Sequence, residues 1–129
     1  MINGIQQPGI LTVARLMFAA LFLQDAIFNK IMHASNSIAL MASMNIPFTK
    51  AMLVIVVAFE LIGCLMLILN WHTPILALLF GLFCLVVSFV FHPFWQYDKL
   101  ADIQNQMNHF MKNMAIAGGA IYIAAYNMP

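Results

Sequence analysis

The chain has 129 residues, of which 64% are apolar and only 7% are charged. Soluble domains carry about 25% charged residues, and a chain this short cannot enclose so much apolar surface in one core, so the composition excludes an ordinary soluble domain and predicts that lipid is the solvent. The formal net charge of +1 provides no basic field, which excludes nucleic acid as a partner.

Four apolar stretches are long enough to cross a bilayer, which takes about 20 mainly apolar residues in a helix. A further segment, "HASNSIALMASMNI", is too short to cross and too apolar for a free loop, so it is predicted to be a helix lying in the membrane interface. The predicted fold is therefore all-α: an integral membrane four-helix transmembrane bundle with a short interfacial helix between spans 1 and 2. It forms a single domain over residues 1–129, with spans at roughly 9–32, 47–69, 73–93 and 106–128.

The lysines predict how the chain is oriented. Lys30 and Lys50 flank the first connection between spans, and Lys99 and Lys112 lie in or near the third. Cytoplasmic loops carry an excess of Lys and Arg, so both connections are predicted to face the cytoplasm and both termini to be extracytoplasmic.

The polar side chains within the spans are the candidate site. Glu60 falls near the middle of the bilayer, where an isolated carboxylate is costly, so we expect it either to pair with Arg15 or Lys112 or to keep its proton. Asp25 and Asn29 are four residues apart and share a helix face. The candidates for lining a ligand pocket are Arg15, Asp25, Asn29, Lys30, Glu60, His92, Lys112 and Asn113. All of them except Arg15 and Lys30 are predicted to line one cavity that opens toward the cytoplasm.

A purely structural reading of the same charges stays open. Two ion pairs, Asp25 with Lys112 and Glu60 with Arg15, could tie the helices into register. Lys30 is more readily explained as an anchor whose stem lies along the apolar surface and whose ammonium reaches the interface.

Other motifs favour packing over chemistry. The two cysteines are predicted to be packed thiols. His33, His92 and His109 could meet at the cytoplasmic surface, but interfacial histidines without a metal are the favoured interpretation, so no metal is expected. Small residues let helices approach closely in membranes. Those predicted to pack helices together are Gly63, Ala115, Gly118 and Gly119.

Five motifs follow one another along the chain: "ARLMFAALFLQDAIFNK", "NIPFTK", "FELIGCLMLILNWHTP", "FHPFW" and "HFMKNMAIAGGAIYI". In this order and at these spacings they resemble the DoxX family of small four-span membrane proteins. By this resemblance the family's polar positions correspond to Arg15, Lys30, Glu60, His92, Lys112 and Asn113. Asp25 and Asn29 depart from the family, which usually has small or weakly polar residues ahead of the lysine.

The resemblance implies a bacterial inner (plasma) membrane protein, and it gives two competing functions. Namesake members are implied to be membrane subunits of a thiosulfate:quinone oxidoreductase, and others are linked to thiol and redox homeostasis. The first expectation is therefore an accessory subunit of a quinone-linked or sulfur/thiol redox system with an intramembrane polar pocket. The chain has no haem, flavin or metal motif of its own, so the expected cofactor is a bound quinone and electrons require a redox partner subunit.

The alternative is a non-enzymatic assembly or stability factor that binds another membrane protein through helix packing. Distant eukaryotic relatives, which look like assembly chaperones for membrane receptors, suggest it. A permease is the weakest hypothesis, because four short spans without a repeat suit alternating access poorly. The lipid bilayer is the expected partner in every case. Catalytic residues, enzymatic activity and homo-oligomerisation stay open.

Overall fold

The computed structural model describes residues 8–127, and these contain helices and connecting turns but no strand. Helix α1 (Pro8–Gln24) continues into a π-helical segment (Asp25–Met32) and is followed by α2 (Ala34–Ser43) and α3 (Thr49–Ile68). Next come α4 (Thr73–Phe91), a short 3-10 turn (Phe94–Gln96) and α5 (Leu100–Asn127). The all-α prediction is confirmed.

Within the described part of the chain, three helical stretches are long and apolar enough to cross a membrane: Gly9–Met32, Thr49–Ile68 and Thr73–Gln96. They match the first three predicted spans. Helix α5 has 28 residues, but it begins at Leu100, before the predicted fourth span, and its first half is rich in polar side chains. The four-span bundle and the interfacial position of α2 stay predictions. The termini, predicted to be extracytoplasmic, lie outside the described residues.

The helices fall into two compact units, one up to Trp71 and one from His72. In the first unit, α3 packs against α1, the π-helical segment and α2. Its core combines small residues with a few large ones. Cys64 on α3 is fully buried, and its Sγ lies 3.5 Å from the carbonyl oxygen of Ala19 on α1. Such a short approach requires a small residue on each helix, and Ala19 and Cys64 provide them.

Two helices of this unit end in the same type of hydrogen-bonded turn. After α2, Asn45 adopts a left-handed conformation (φ 57°), and the amide of Ile46 donates to the carbonyl of Met41. After α3, Asn70 does the same (φ 55°), and the amide of Trp71 donates to Met66. These are Schellman ends, in which a left-handed residue lets the chain turn back and satisfy the last carbonyls. Asparagine tolerates that conformation better than other residues with a side chain, apart from aspartate.

We expect Asn45→Val to destabilise the protein by about 1–2 kcal/mol, because a β-branched residue is strained at this backbone angle. Asn45→Gly should be neutral or nearly so, since glycine adopts the angle freely. Thermal unfolding in detergent measures both. Equal midpoints for the two variants would show that the turn does not constrain this residue.

In the second unit, α4 packs against α5 through very small side chains. A Cβ atom added at Gly81 would lie 3.2 Å from the Cβ of Ala120 and 3.5 Å from the carbonyl oxygen of Ala117. Ala117, Ala120 and Ala124 are buried along one face of α5. Gly81 therefore sets how closely the two helices approach.

Aromatic rings hold the start of α5 to the end of α4. Phe110 of α5 makes edge-to-face contacts with Phe94 and Trp95 of the 3-10 turn and with Phe89 of α4, at centroid distances of 5.2 to 5.9 Å. Aromatic pairs in this geometry add about 0.5–1.5 kcal/mol each beyond their burial. The cluster fixes the chain between α4 and α5.

Candidate functional site

The first unit contains an acid–base cluster, formed by Asp25, Asn29, Lys30 and Glu60. Lys30 donates from Nζ to the carboxylate of Asp25 and, at 3.1 Å, to Oε1 of Glu60. Asn29 donates from Nδ2 to Oδ1 of Asp25 at 2.8 Å. Two acids and one base thus meet where the π-helical segment contacts α3.

Burial increases from Asp25 to Glu60. The side chain of Asp25 is 33% exposed and that of Lys30 is 13% exposed, whereas Glu60 is fully buried. Oε2 of Glu60 accepts no hydrogen bond from any donor within residues 8–127. The cluster is therefore rich in charge, and one oxygen of its buried carboxyl lacks a hydrogen bond, which is unusual for a buried polar atom.

The π-helical segment explains why Lys30 reaches Asp25. In an α-helix, residues five apart point in directions that differ by about 140°, so the two side chains would lie on different faces. In a π-helix the backbone bond runs from residue i to i+5, which brings these two residues to the same side. The widened turn therefore aims Lys30 at both carboxyls.

Side chains cap the carboxyl end of this segment. Nδ1 of His33 lies 2.7 Å from the carbonyl oxygen of Phe28, and Oγ of Ser37 donates to the carbonyl of Asn29 at 2.9 Å. The ring of His33 also packs on that of Phe28 at 4.6 Å. These contacts satisfy carbonyls that a change of helix type leaves without regular partners. The local sequence thus supports the π-helical geometry.

The predicted pairing of Glu60 with Arg15 was wrong. Glu60 faces the interior of its unit, as expected, but the base of that unit that contacts it is Lys30. The predicted pairing with Lys112, which lies in the other unit, stays a prediction. Lys30 is not a free anchor at the interface. Arg15 instead donates to Oγ1 of Thr12 at 3.2 Å, and its Nε is buried without a partner in the described chain. The shared face predicted for Asp25 and Asn29 is confirmed, since their side chains are hydrogen-bonded.

Three predicted pocket residues lie in the second unit. His92 ends α4, and its Nδ1 lies 2.8 Å from Oε1 of Gln106, while its ring stacks on that of His109 at 4.9 Å. Lys112 is exposed and Asn113 is half-buried. A single cavity lined from all four helices stays a prediction. Within residues 8–127, no three His, Cys, Asp or Glu side chains are grouped as metal ligands.

The small residues predicted to pack helices together fall into two groups. Gly63 is buried in α3, whereas Ala115, Gly118 and Gly119 are exposed on α5. A Cβ atom added at Gly118 or Gly119 would meet no atom within 4 Å. The contact between α4 and α5 uses the neighbouring face of Ala117, Ala120 and Ala124 instead, which the sequence analysis did not predict.

The apolar helices and the acid–base cluster indicate the class of protein to which the chain belongs. The chain is a helical, multi-pass membrane protein with an acid–base cluster between its apolar helices, and the cluster has a fully buried carboxyl at its inner end. The DoxX family model matches residues 10–93, more than half of the chain, and this range includes the whole cluster. The chain belongs to the DoxX family.

Among curated proteins, the inner membrane protein YphA of Escherichia coli (strain K12) is 29% identical over 121 residues. This alignment covers 94% of the chain and 85% of the relative. No solved structure matches.

Proposed function

We propose that this DoxX-family chain is an accessory subunit of an inner-membrane redox system that uses a quinone or a small sulfur compound. In this proposal the acid–base cluster receives the polar head of the ligand. The observation that carries it is the cluster itself, since two acids and a base inside apolar helices are costly to keep and mark functional sites in membrane proteins. A π-helical turn at the same place supports this, because such turns occur frequently at functional sites.

The residues present fit the needs of a quinone head group. Its carbonyl oxygens accept hydrogen bonds, and its reduction takes up protons, so the site requires donors and an acid. Lys30 has three N–H donors and uses two of them on Asp25 and Glu60, which leaves one for a ligand. The two carboxyls provide the acid. Electrons would come from a partner subunit.

Extraction of the purified protein with organic solvent, followed by mass spectrometry, tests the proposal. We expect about one quinone or sulfur compound per wild-type chain and a loss of at least tenfold in Glu60→Gln, because a hydrogen bond to a charged group contributes about 1.5–3 kcal/mol. Asp102→Asn is the matched control, since Asp102 is exposed in the first turn of α5. A wild-type protein without such a ligand, or equal ligand in all three proteins, contradicts the proposal.

The assembly-factor alternative is supported by a different surface. Ala115, Gly118 and Gly119 form an exposed small-residue face on α5. Such faces let a second transmembrane helix approach closely. A second membrane protein in stoichiometric amount in the same preparation, with no quinone, would favour this alternative.

A further inference from the structure

We propose that Asp25 and Glu60 form a two-carboxyl proton relay, in which one proton moves between the buried Glu60 and the more exposed Asp25 while Lys30 neutralises whichever carboxyl is ionised. The inference goes beyond the proposed redox function, because it rests on the contacts of the cluster and holds whether or not a quinone binds.

The first argument is the balance of charge. With both acids ionised and Lys30 protonated, the cluster would carry one uncompensated negative charge among apolar helices, which is unfavourable. One proton shared by the two carboxyls makes the cluster neutral. Within the described residues, the ion pairs of Asp25 and Glu60 are both with Lys30. Arg15 of α1 donates to Thr12 instead, α2 carries no ionisable side chain, and Cys64 adds a thiol one turn further along α3.

The second argument is the hydrogen bonding of Glu60. Oε1 accepts from Lys30, but Oε2 has no donor within the described residues. The carboxyls of Asp25 and Glu60 both contact Nζ of Lys30, so they lie close together, and two carboxyls can share a hydrogen bond only when one of them is protonated. A proton on Glu60 satisfies both groups, since Glu60 then donates to Asp25 while Asp25 accepts from Asn29 and Lys30.

The third argument is the gradient of exposure. Glu60 is fully buried, Asp25 is partly exposed and Asn29 is exposed, so the cluster leads from the interior to the surface of the unit. In the transfer step the O–H bond of Glu60 breaks and a new O–H bond forms on Asp25. Lys30 contacts both acids throughout and keeps its own protons. The net charge of the cluster does not change during the step, which keeps the cost of transfer within the membrane low.

Infrared spectroscopy of the purified protein at neutral pH tests the number of protons. A protonated carboxylic acid has a carbonyl stretch that a carboxylate lacks. We expect one such band in the wild type and none in Glu60→Gln or Asp25→Asn, because a single remaining acid pairs with Lys30 as a carboxylate. Lys30→Met should give about twice the wild-type intensity, since both acids must then be neutral. The band should be unchanged in Asp102→Asn. Absence of the band in the wild type overturns the proposal. This test does not depend on whether the variants fold.

Exchange into heavy water tests the direction of the relay. The double variant Asp25→Asn/Lys30→Met leaves Glu60 protonated but removes its neighbour, so its band should exchange at least tenfold more slowly than the bands of Lys30→Met. In Glu60→Gln/Lys30→Met the band of Asp25 should exchange as fast as in Lys30→Met. Equal exchange of the Glu60 band with and without Asp25 would overturn the relay and leave only a shared proton. Monodisperse elution and an unchanged helical circular dichroism spectrum establish that each variant is folded.

Discussion

Replacing Lys30 with methionine is expected to destabilise the protein by about 3–5 kcal/mol, because the buried acid that loses its counter-charge must take up a proton for the chain to fold. Methionine keeps the apolar stem of lysine and removes only the charge. Protons on the carboxyls can replace the lost positive charge, so the destabilisation should be smaller in mildly acidic buffer than in mildly alkaline buffer. Thermal unfolding in detergent, followed by circular dichroism at both pH values, measures it.

Lys50→Met is the matched control for this prediction. Lys50 lies on α3 like Glu60, but it is exposed in the first turn of that helix. An exposed charge of this kind contributes little, so the unfolding midpoint should hardly change. The structural assignment of Lys30 fails if both variants unfold at the same temperature.

The second large effect is expected at Gly81. A leucine there cannot fit against Ala120, since even a Cβ atom would already lie 3.2 Å from that side chain. We expect Gly81→Leu to push α4 and α5 apart and to destabilise the protein by about 3 kcal/mol or more. Thermal unfolding in detergent measures the loss, and increased protease cleavage between the helices reports their separation.

Gly118→Leu provides the comparison, because an added Cβ at Gly118 meets nothing. Its unfolding midpoint should match that of the wild type. Two substitutions that change less side-chain volume test the contact directly. Gly81→Ala alone should be mildly destabilising, and adding Ala120→Gly in the same chain should relieve the close approach of the two Cβ atoms. Additive effects of Gly81→Ala and Ala120→Gly would mean that the two side chains are not in contact.

Much of the candidate site was accessible from the sequence. The isolated Glu60 in an apolar stretch predicted a buried carboxylate that needs a partner, and the structure places it fully inside its unit. The spacing of Asp25 and Asn29 predicted a shared face, and their side chains are hydrogen-bonded. These inferences succeeded because each depends on local quantities, namely the cost of burying a charge and the period of a helix.

The role of Lys30 was missed because it depends on a change of helix type. A regular α-helical period puts Lys30 on a different face from Asp25, and nothing in the periodicity of "DAIFNKIM" signals i to i+5 bonding. The π-helical geometry is held by contacts outside that stretch, from His33, Ser37 and Glu60. The signal available in advance was the pair of opposite charges five residues apart, which a π-helix would bring together.

By itself, the sequence determined that this protein is helical, that it lies in a membrane and where its three most apolar spans fall, because these depend on hydrophobicity and length alone. Only the tertiary structure decided which base neutralises Glu60 and which face of α5 meets α4. Both depend on the distances between side chains of different helices. Several small residues lie on neighbouring faces of α5, and the choice of Ala117, Ala120 and Ala124 follows from their fit against Gly81, a partner about 40 residues away along the chain.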